Sequence, residues 1–273
     1  MHRFLSVFLG LTLVAGAADA PKPKGGEVKK PRALAPGGKW FANDMNRPRP
    51  RVITPPQDGR APSDAQIIFD GSSLAAFKRD GNKENPITPG NDAALWEIKD
   101  GYFQCAPKSG SIRTRNKYEG DQQWHIEWAT PAEVKGNSQG RGNSGVFISG
   151  FPEVQVLDSY QNDTYPDGSA AGLYGQYPPM VNASRKPGEW QTYDIIVERQ
   201  RKDAQGKVIR KARLTVIHNG IVVHLAREFD TAEKASDLGL QDHHNPVRYR
   251  NIWVRRLNLD DPDSEGTAPA VKK

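Results

Sequence analysis

Short alternating segments separated by turn residues are the feature that most constrains this chain. Between Pro62 and Leu259, apolar and polar residues alternate over short runs, and Gly-, Asn- or Asp-containing turns follow them. Asn219-Gly220 and Asp100-Gly101 each provide the positive φ that a two-residue hairpin needs. No helical period persists over three turns, except around Thr231 to Leu238. The predicted strands lie around residues 67–69, 95–98, 102–105, 124–128, 146–148, 154–157, 193–198, 214–217, 221–225 and 250–257.

This pattern predicts an all-β fold, an antiparallel two-sheet β-sandwich of jelly-roll type built as one domain. Hydrophobic residues make up only 36% of the chain, with 26 Gly and 21 Pro, which favours strands and turns over a helical bundle. Cys105 is the single cysteine, so no intramolecular disulfide can form.

The first residues are typical of export. Met1-His2-Arg3 is a short positive region, and an apolar run from Phe4 to Val14 leads into small residues. We predict a signal peptide over residues 1–18 and a periplasmic or extracellular location. The alternative is a membrane anchor, but the run is shorter than the ~20 residues that a spanning helix needs.

Charge is distributed unevenly over the rest of the chain. Residues 21–60 carry ten Lys and Arg against three acids, whereas the folded part is close to neutral despite a net charge of +6. We therefore predict a Pro-, Lys- and Arg-rich lead-in at 19–61, a sugar-active domain at 62–260 and a polar tail at 261–273, with the lead-in largely disordered and the tail disordered. Without a basic face on the fold, nucleic acid is not an expected partner, and neither is a membrane.

The strand from Glu153 to Asp158 carries candidate chemistry. A period of two places Glu153 and Gln155 on the face opposite the core, while the side taken by Asp158 is open. Carboxylates and amides suit sugar hydroxyls, although a solvated outer face would show the same pattern. A retaining sandwich glycosidase would need acids where Gln155 and Leu157 stand, so ordinary double displacement is disfavoured.

Histidines provide the other candidates for proton transfer. His243 lies in a Gln-Asp-His-His segment before the last strand, and of the two adjacent histidines it is the one predicted to lie in the site. His125, His218 and His224 lie within strands or a hairpin and are interpreted as packing or surface residues. Trp96, Trp124, Trp128 and Trp253 are predicted in the core, whereas Trp190 could either pack or stack on a sugar.

These motifs resemble the 3-keto-disaccharide hydrolase domain family, whose members are also described as 3-keto-glucoside 1,2-lyases and hydratases. The resemblance covers about residues 63–259 in the family's order. It rests on the segments Phe69-Asp70-Gly71, Trp96 to Gly101, Tyr118 to Trp128, Gly142-Asn143-Ser144-Gly145-Val146-Phe147, Glu153 to Tyr160, Gly172-Leu173-Tyr174-Gly175-Gln176, Gly188 to Tyr193, Gly239-Leu240-Gln241-Asp242-His243 and Arg250-Asn251-Ile252.

The resemblance implies a concanavalin-like jelly roll that acts on a small sugar substrate already oxidised at C3. It implies abstraction of the C2 proton, β-elimination at C1 and hydration of the product. The predicted catalytic residues are Glu153, His243 and Asp158, and a divalent cation at Asp158 or His243 is left open. The predicted substrate-binding residues are Gln155, Glu127, Asn143, Tyr160, Tyr174, Gln176, Trp190, Gln191, Gln241, Arg250 and Asn251. The rival interpretation is a non-catalytic carbohydrate-binding or cell-surface module.

Overall fold

The computed structural model describes residues 34–35, 39–57, 59–81, 86–88 and 90–260. The described residues up to 48 belong to a small unit of their own, in which Leu34 and Phe41 form an isolated bridge. The described residues from 49 onwards belong to a second unit that holds every strand named below. The predicted signal peptide and C-terminal tail lie outside the described residues. No helix in the described ranges is long and apolar enough to cross a membrane.

Strands dominate the second unit, and the only helical segments among its described residues are two single turns of 3-10 helix, Ser138–Gly140 and Pro166–Gly168. The strands are β1 Gln66–Phe69, β2 Phe77–Arg79, β3 Glu97–Lys99, β4 Tyr102–Gln104, β5 Ile112–Thr114, β6 Tyr118–Glu119, β7 Asp121–Ala129, β8 Ser144–Ile148, β9 Val154–Val156, β10 Gln191–Glu198, β11 Arg201–Lys202, β12 Val208–Arg210, β13 Ala212–His218, β14 Ile221–Phe229, β15 Ala235–Ser236, β16 Leu238–Leu240 and β17 Arg248–Leu257.

Two sheets form the sandwich. The large sheet has the order β14-β13-β10-β7-β17-β4-β3, with β1 also paired to β17. The small sheet has the order β2-β5-β16-β8-β9, and two further ribbons pair β11 with β12 and β6 with β15. Every strand pair in the described chain is antiparallel. The predicted antiparallel two-sheet sandwich is confirmed.

The core lies between the two sheets. Trp124, Ile126 and Trp128 of β7 are completely buried, as are Val146 of β8 and Val156 of β9, and all five belong to one hydrophobic cluster. Burial of each such side chain stabilises the fold by about 1.5–3 kcal/mol. Because side chains alternate along a strand, each sheet turns its other set of residues outward. The molecule therefore has two outward faces, on opposite sides of the core.

Local turn chemistry behaves as the sequence predicts. Asp100 and Gly101 have φ values of 47° and 78°, and Asn219 and Gly220 have φ values of 51° and 81°. Positive φ at both central residues is the signature of a type I′ hairpin turn. These turns join β3 to β4 and β13 to β14.

Two details differ from the sequence interpretation. The region around 231–238 forms no helix, because Leu238 and Leu240 alternate into the core as β16. Trp253 is buried as predicted, but it stacks on His125 on the outward side of the large sheet, at a ring separation of 4.9 Å. A bulge in β17 at Asn251 causes this arrangement, because it shifts the register between Arg250 and Trp253.

Candidate functional site

Glu153 lies on the outward face of the small sheet. Val154 and Val156 of β9 are buried, so the residues that alternate with them point away from the core. Gln155 pairs with Gly145 of β8. A side chain at position 145 would collide with the Glu153 carboxylate, which therefore lies directly over the Gly145 backbone.

The Glu153 carboxylate is half-buried and unpaired. Among the described residues, none donates a hydrogen bond to it or forms an ion pair with it. Burial alone raises the pKa of Glu153 from its ordinary value of 4.5 to about 7. A carboxylate with this pKa can accept a proton near neutral pH and release it again.

A pair of tyrosines lies beside this carboxylate. Leu173 bridges Val154 at the free edge of β9, and the Tyr174 N–H donates to the Glu153 carbonyl at 3.0 Å. Tyr174 therefore neighbours Glu153 on the outward face. The Tyr165 and Tyr174 hydroxyls are 2.6 Å apart, so one hydrogen lies between them and the second is free for a ligand. Burial, then Tyr174, and then the charges of Asp167 and Glu153 raise the pKa of Tyr165 to about 12.

An amide network holds the tyrosine-bearing loop against the sheet. Gln139 Oε1 accepts from Gln155 Nε2 at 2.9 Å and from Asn143 Nδ2 at 3.3 Å. Gln139 Nε2 donates to Thr164 Oγ1 at 2.7 Å and to the Gly168 carbonyl at 2.9 Å. One glutamine thus joins the residue before β8, strand β9 and the loop after β9. Gln155 was predicted to contact substrate, but it is buried and its Oε1 accepts the Val156 N–H, so it anchors this loop instead.

Two buried acceptors on this face have no hydrogen-bond donor among the described residues. They are Asn143 Oδ1 and Gln241 Oε1. The Gln241 N–H donates to the Gly145 carbonyl at 3.0 Å, which places Gln241 next to the residue under the Glu153 carboxylate. Buried polar atoms are nearly always bonded, so these two oxygens are available to the hydroxyl groups of a ligand.

The other predicted residues on this side have different surroundings. Asp158 Oδ2 lies 2.7 Å from Arg141 Nε, and its Oδ1 accepts the Tyr160 N–H at 3.2 Å. His243 is exposed in the turn after β16, and Gln176 is exposed in the loop.

The described residues around Glu153 and Asp158 do not form a metal site. No group of three His, Cys, Asp or Glu residues in the described ranges could hold one. Asp158, one of the two predicted ligands, is already paired with Arg141. We therefore derive no step through a cation.

Three predicted binding residues lie on the opposite face of the sandwich. Glu127 alternates with Ile126 and Trp128 and points outward from the large sheet. Arg250 Nε donates to Glu127 Oε2 at 2.6 Å, and Asn251 Nδ2 donates to Oε1 at 2.8 Å. These three residues contact one another, but they do not share a face with Glu153.

Two more predicted residues pack elsewhere. The guanidinium carbon of Arg250 lies 4.1 Å from the centre of the Trp190 ring, so Trp190 also belongs to the large-sheet side. Gln191 is buried, with its Oε1 2.9 Å from His218 Nε2 and 3.0 Å from the donating Arg185 N–H. Gln191 therefore forms hydrogen bonds within the protein, where it was predicted to bind substrate.

His125 joins Glu127 in an ion cluster that includes Asp194. His125 Nδ1 is 2.9 Å from Asp194 Oδ1, and Nε2 is 3.7 Å from Glu127 Oε1. Burial alone would lower the pKa of His125, but the two carboxylates raise it to about 9. Burial opposes ionisation of Glu127 as well, yet His125, Asn251 and Arg250 lower its pKa to about 2. The histidine was interpreted from sequence as packing or surface, and this arrangement is a structural ion cluster.

A cleft of about 650 Å³ also lies on the large-sheet side, lined in part by Glu127, Arg250 and Asn251. The cleft therefore favours the large-sheet face as the active site, whereas the unpaired carboxylate of Glu153 favours the small-sheet face. We place proton transfer on the small-sheet face, because both Glu127 oxygens are already bonded whereas the Glu153 carboxylate is free.

Tyr165, Gln139 and Gly145 were missed as site residues by sequence reasoning. Tyr165 and Gln139 lie in irregular segments where no periodicity indicates their direction. Gly145 stands within a predicted strand, but its role depends on a side chain from the neighbouring strand.

The chain is similar to one protein family and to several solved structures. Residues 64–255 match the model of a 3-keto-alpha-glucoside-1,2-lyase-like domain. A crystal structure of a protein from Parabacteroides distasonis, described as a candidate glycosyl hydrolase, is 38% identical, with a TM-score of 0.67 over 82% of this chain and 97% of that one. A second protein of that organism with the same description is 16% identical, with a TM-score of 0.53 over 71% and 94% of the two chains, and shows the fold alone. A search of curated proteins returned no match.

Proposed function

Since the chain belongs to the 3-keto-alpha-glucoside-1,2-lyase-like family and is a carbohydrate-acting enzyme, we propose that it cleaves the glycosidic bond of sugars oxidised at C3. The observation that carries the proposal is the free, half-buried Glu153 carboxylate with a pKa of about 7. A ketone at C3 acidifies the C2 proton, so a single base of this strength can start the reaction. Displacement at C1 would need a second acid in β9 or directly after it, where Gln155 and Leu157 stand instead.

Elimination comes first. Glu153 removes the C2 proton, and negative charge develops on the C3 oxygen. The C1–O bond then breaks as a C1–C2 double bond forms, and the leaving oxygen takes a proton from the Tyr165–Tyr174 pair. The unpartnered oxygens of Asn143 and Gln241 would hold sugar hydroxyls during this step.

Hydration completes the cycle. The oxygen of a water molecule bonds to C1, Glu153 returns its proton to C2, and the second water hydrogen restores the tyrosine pair. The sum is hydrolysis of the glycosidic bond, with no change in the oxidation state of the enzyme. Both proton-transfer groups lie on one face, next to each other on paired chain segments.

The reaction class is tested by incubating the protein with 3-keto-trehalose, a simple 3-keto-glucoside and the unoxidised parents. We expect turnover of the keto sugars only. Turnover of the parents would indicate a glucan hydrolase, and binding without turnover would indicate a carbohydrate-binding module. A parallel series with EDTA tests the cation alternative at Asp158 and His243.

The base is tested with Glu153→Gln, which keeps the size of the side chain and removes its basicity. We expect kcat/KM to fall by about 10³-fold, within the range for loss of a general base. In the unaltered enzyme kcat/KM should rise with pH and level off above about 7, because only ionised Glu153 accepts the proton. Glu198→Gln, on the other sheet, is the matched control. Full turnover by the Glu153 variant would exclude the assignment.

The acid is tested by varying the leaving group. Tyr174→Phe should slow cleavage of an alkyl 3-keto-glucoside by about 10²-fold and barely affect a nitrophenyl 3-keto-glucoside, whose leaving group needs no proton. His243→Gln provides the comparison, since His243 is the predicted acid from sequence. If the leaving-group dependence appears in the His243 variant instead, the tyrosine pair does not donate the proton.

A further inference from the structure

We propose that the cleft beside Glu127 is a second, non-catalytic binding site for a neutral saccharide. It lies on the outward face of the large sheet, so the hydrophobic core separates it from the Glu153 face. Its volume of about 650 Å³ falls within the usual range of small-molecule sites. The proposal is independent of the reaction proposed for Glu153.

The cleft combines an apolar floor with polar walls. Ile67 and Phe69 of β1 line it together with Ala61, and Ile67 is 48% exposed, which is unusual for a large apolar side chain within a strand. Asp70 and Gly101 contribute one wall, at the turns that follow β1 and β3. Saccharides present both C–H faces and hydroxyl edges, and a floor of this kind suits the C–H faces.

Hydrogen-bond donors converge on the cleft from two sides. Arg250 donates through Nε to Glu127, but its two terminal nitrogens have no acceptor among the described residues. Stacking on Trp190 at 4.1 Å already orders the guanidinium, so a ligand would lose little free energy in fixing it. Arg60 lines the cleft from the segment before β1, and no described residue pairs with its side chain.

Acceptors are available as well. Asp70 Oδ1 takes hydrogen bonds from the Ser72 N–H at 2.9 Å and the Ser72 hydroxyl at 2.6 Å, while its Oδ2 has no donor among the described residues. Asn251 uses its Nδ2 on Glu127, which leaves its Oδ1 unbonded within the described chain. Donors and acceptors side by side are what a polyhydroxylated ligand requires.

Charge and bonding define the class of ligand. Arg60 and Arg250 balance Asp70 and Glu127, so the cleft has no net charge that would favour an anion or a cation. Glu127 has both oxygens bonded and a pKa of about 2, held there despite burial by His125, Asn251 and Arg250. With both oxygens bonded, Glu127 is not placed to accept a proton from a ligand, so we assign binding to this cleft.

A bulge in β17 shapes the backbone beside the cleft. Asn251 has a φ of 46° at the bulge in β17, and this bulge lets two consecutive residues, Arg250 and Asn251, both reach Glu127. Regular alternation would have sent one of them into the core. Bulges of this kind often re-aim side chains beside binding sites.

Backbone amide NMR tests the site with methyl α-glucoside and trehalose, which carry no ketone and are not expected to react. The amides of Gly101 and Asn251 report on the cleft, and those of Gly145 and Gly172 report on the Glu153 face. We expect saturable shifts of Gly101 and Asn251 with a Kd on the order of 1 mM, as is usual for weak single-site binding. The double variant Arg60→Ala and Asp70→Asn should weaken this Kd about tenfold, which corresponds to about 1.4 kcal/mol.

Controls separate this proposal from the catalytic one. Glu153→Gln should leave the shifts of Gly101 and Asn251 unchanged, and the double variant should turn over 3-keto-glucosides at the normal rate. Shifts confined to Gly145 and Gly172, no saturable shift at any of the four amides, or shifts at Gly101 induced only by a charged sugar such as glucuronate would each overturn the second site. None of these outcomes depends on whether the proposed elimination occurs.

Discussion

At the scale of single residues, Glu153 combines a functional role with a cost in stability. Its folded-state pKa of about 7 exceeds the ordinary 4.5 because burial disfavours the charged form, and nothing in the described chain compensates that charge. A carboxylate left unpaired in this way is typical of a group held ready for proton transfer. Asp158, three residues beyond Gln155, has its charge matched by Arg141 and is suited to holding structure instead.

The stability cost of Glu153 can be measured. A group whose folded-state pKa is raised stabilises the protein below its unfolded pKa, and this contribution is lost as pH rises through about 7. Glu153→Gln should therefore have nearly the same unfolding free energy as the unaltered protein at pH 4.5. At pH 8 it should be more stable by on the order of 1 kcal/mol, after allowance for partial exposure of the carboxylate. Urea unfolding at the two pH values measures the difference, and an equal or lower stability of the variant at pH 8 would contradict it.

At the scale of elements, the outward face of β8 and β9 depends on a glycine. Gly145 has no side chain to occupy the space that the Glu153 carboxylate fills, and the carboxylate bends over the neighbouring strand into that space. The loop after β9 adds Tyr174 at the free edge of the sheet, and Gln139 holds the rest of the loop through two bonds to the loop and two to Asn143 and Gln155. The position of the reacting groups is thus set by contacts between elements.

Gly145→Ala tests this arrangement. The new Cβ must displace the end of a flexible side chain, so the carboxylate moves while the strand persists. We expect kcat/KM for a 3-keto-glucoside to fall by about 10-fold to 10²-fold, since small misplacement of a reacting group is costly. The unfolding midpoint should change little. Gly239→Ala, in the adjacent β16, is the matched control, because its Cβ would meet Phe147 at 3.4 Å, an ordinary contact. Equal activities of the two variants would show that the carboxylate does not need this space.

At the scale of the whole molecule, the two outward faces of the sandwich have different electrostatic character. The small-sheet face holds an acid without a partner, whereas the large-sheet face holds His125, Asp194, Glu127 and Arg250 in mutual contact. This cluster bridges β7, β10 and β17, the central strands of the large sheet. The His125 contacts to Asp194 and Glu127 are ion pairs only while His125 is protonated, whereas the pair between Arg250 and Glu127 persists.

The pH dependence of stability follows from the raised pKa of His125. The stabilisation is complete below the ordinary value of 6.5 and is lost as pH rises through about 9. We expect the unfolding free energy to decrease by about 2 kcal/mol over this interval, and His125→Gln should remove most of that slope. Denaturant titrations from pH 6 to 10 measure it, with His243→Gln as an exposed control. An unchanged slope in the His125 variant would show that the cluster does not carry the effect.

The sequence by itself determined most of the longer strands, the hairpin turns and the direction of Glu153, while short strands such as β16 were missed. All three follow from local rules: the period of two, the positive φ of Asn-Gly and Asp-Gly, and burial of Val154 and Val156 on one side of β9. The motifs that carry the family resemblance also contain most of the candidate site residues.

Only the tertiary structure decided which candidates meet. Glu127, Arg250 and Asn251 lie on the large sheet, and the hydrophobic core separates them from Glu153 on the small sheet. The alternation of outward and buried side chains looks the same in the sequence for strands of either sheet. The tertiary structure also brought Tyr165 and Gln139 to Glu153 from irregular segments, where direction depends on long-range hydrogen bonds. Alternation along a strand specifies a side of one sheet, whereas the identity of that sheet and of its neighbours depends on contacts distant in sequence.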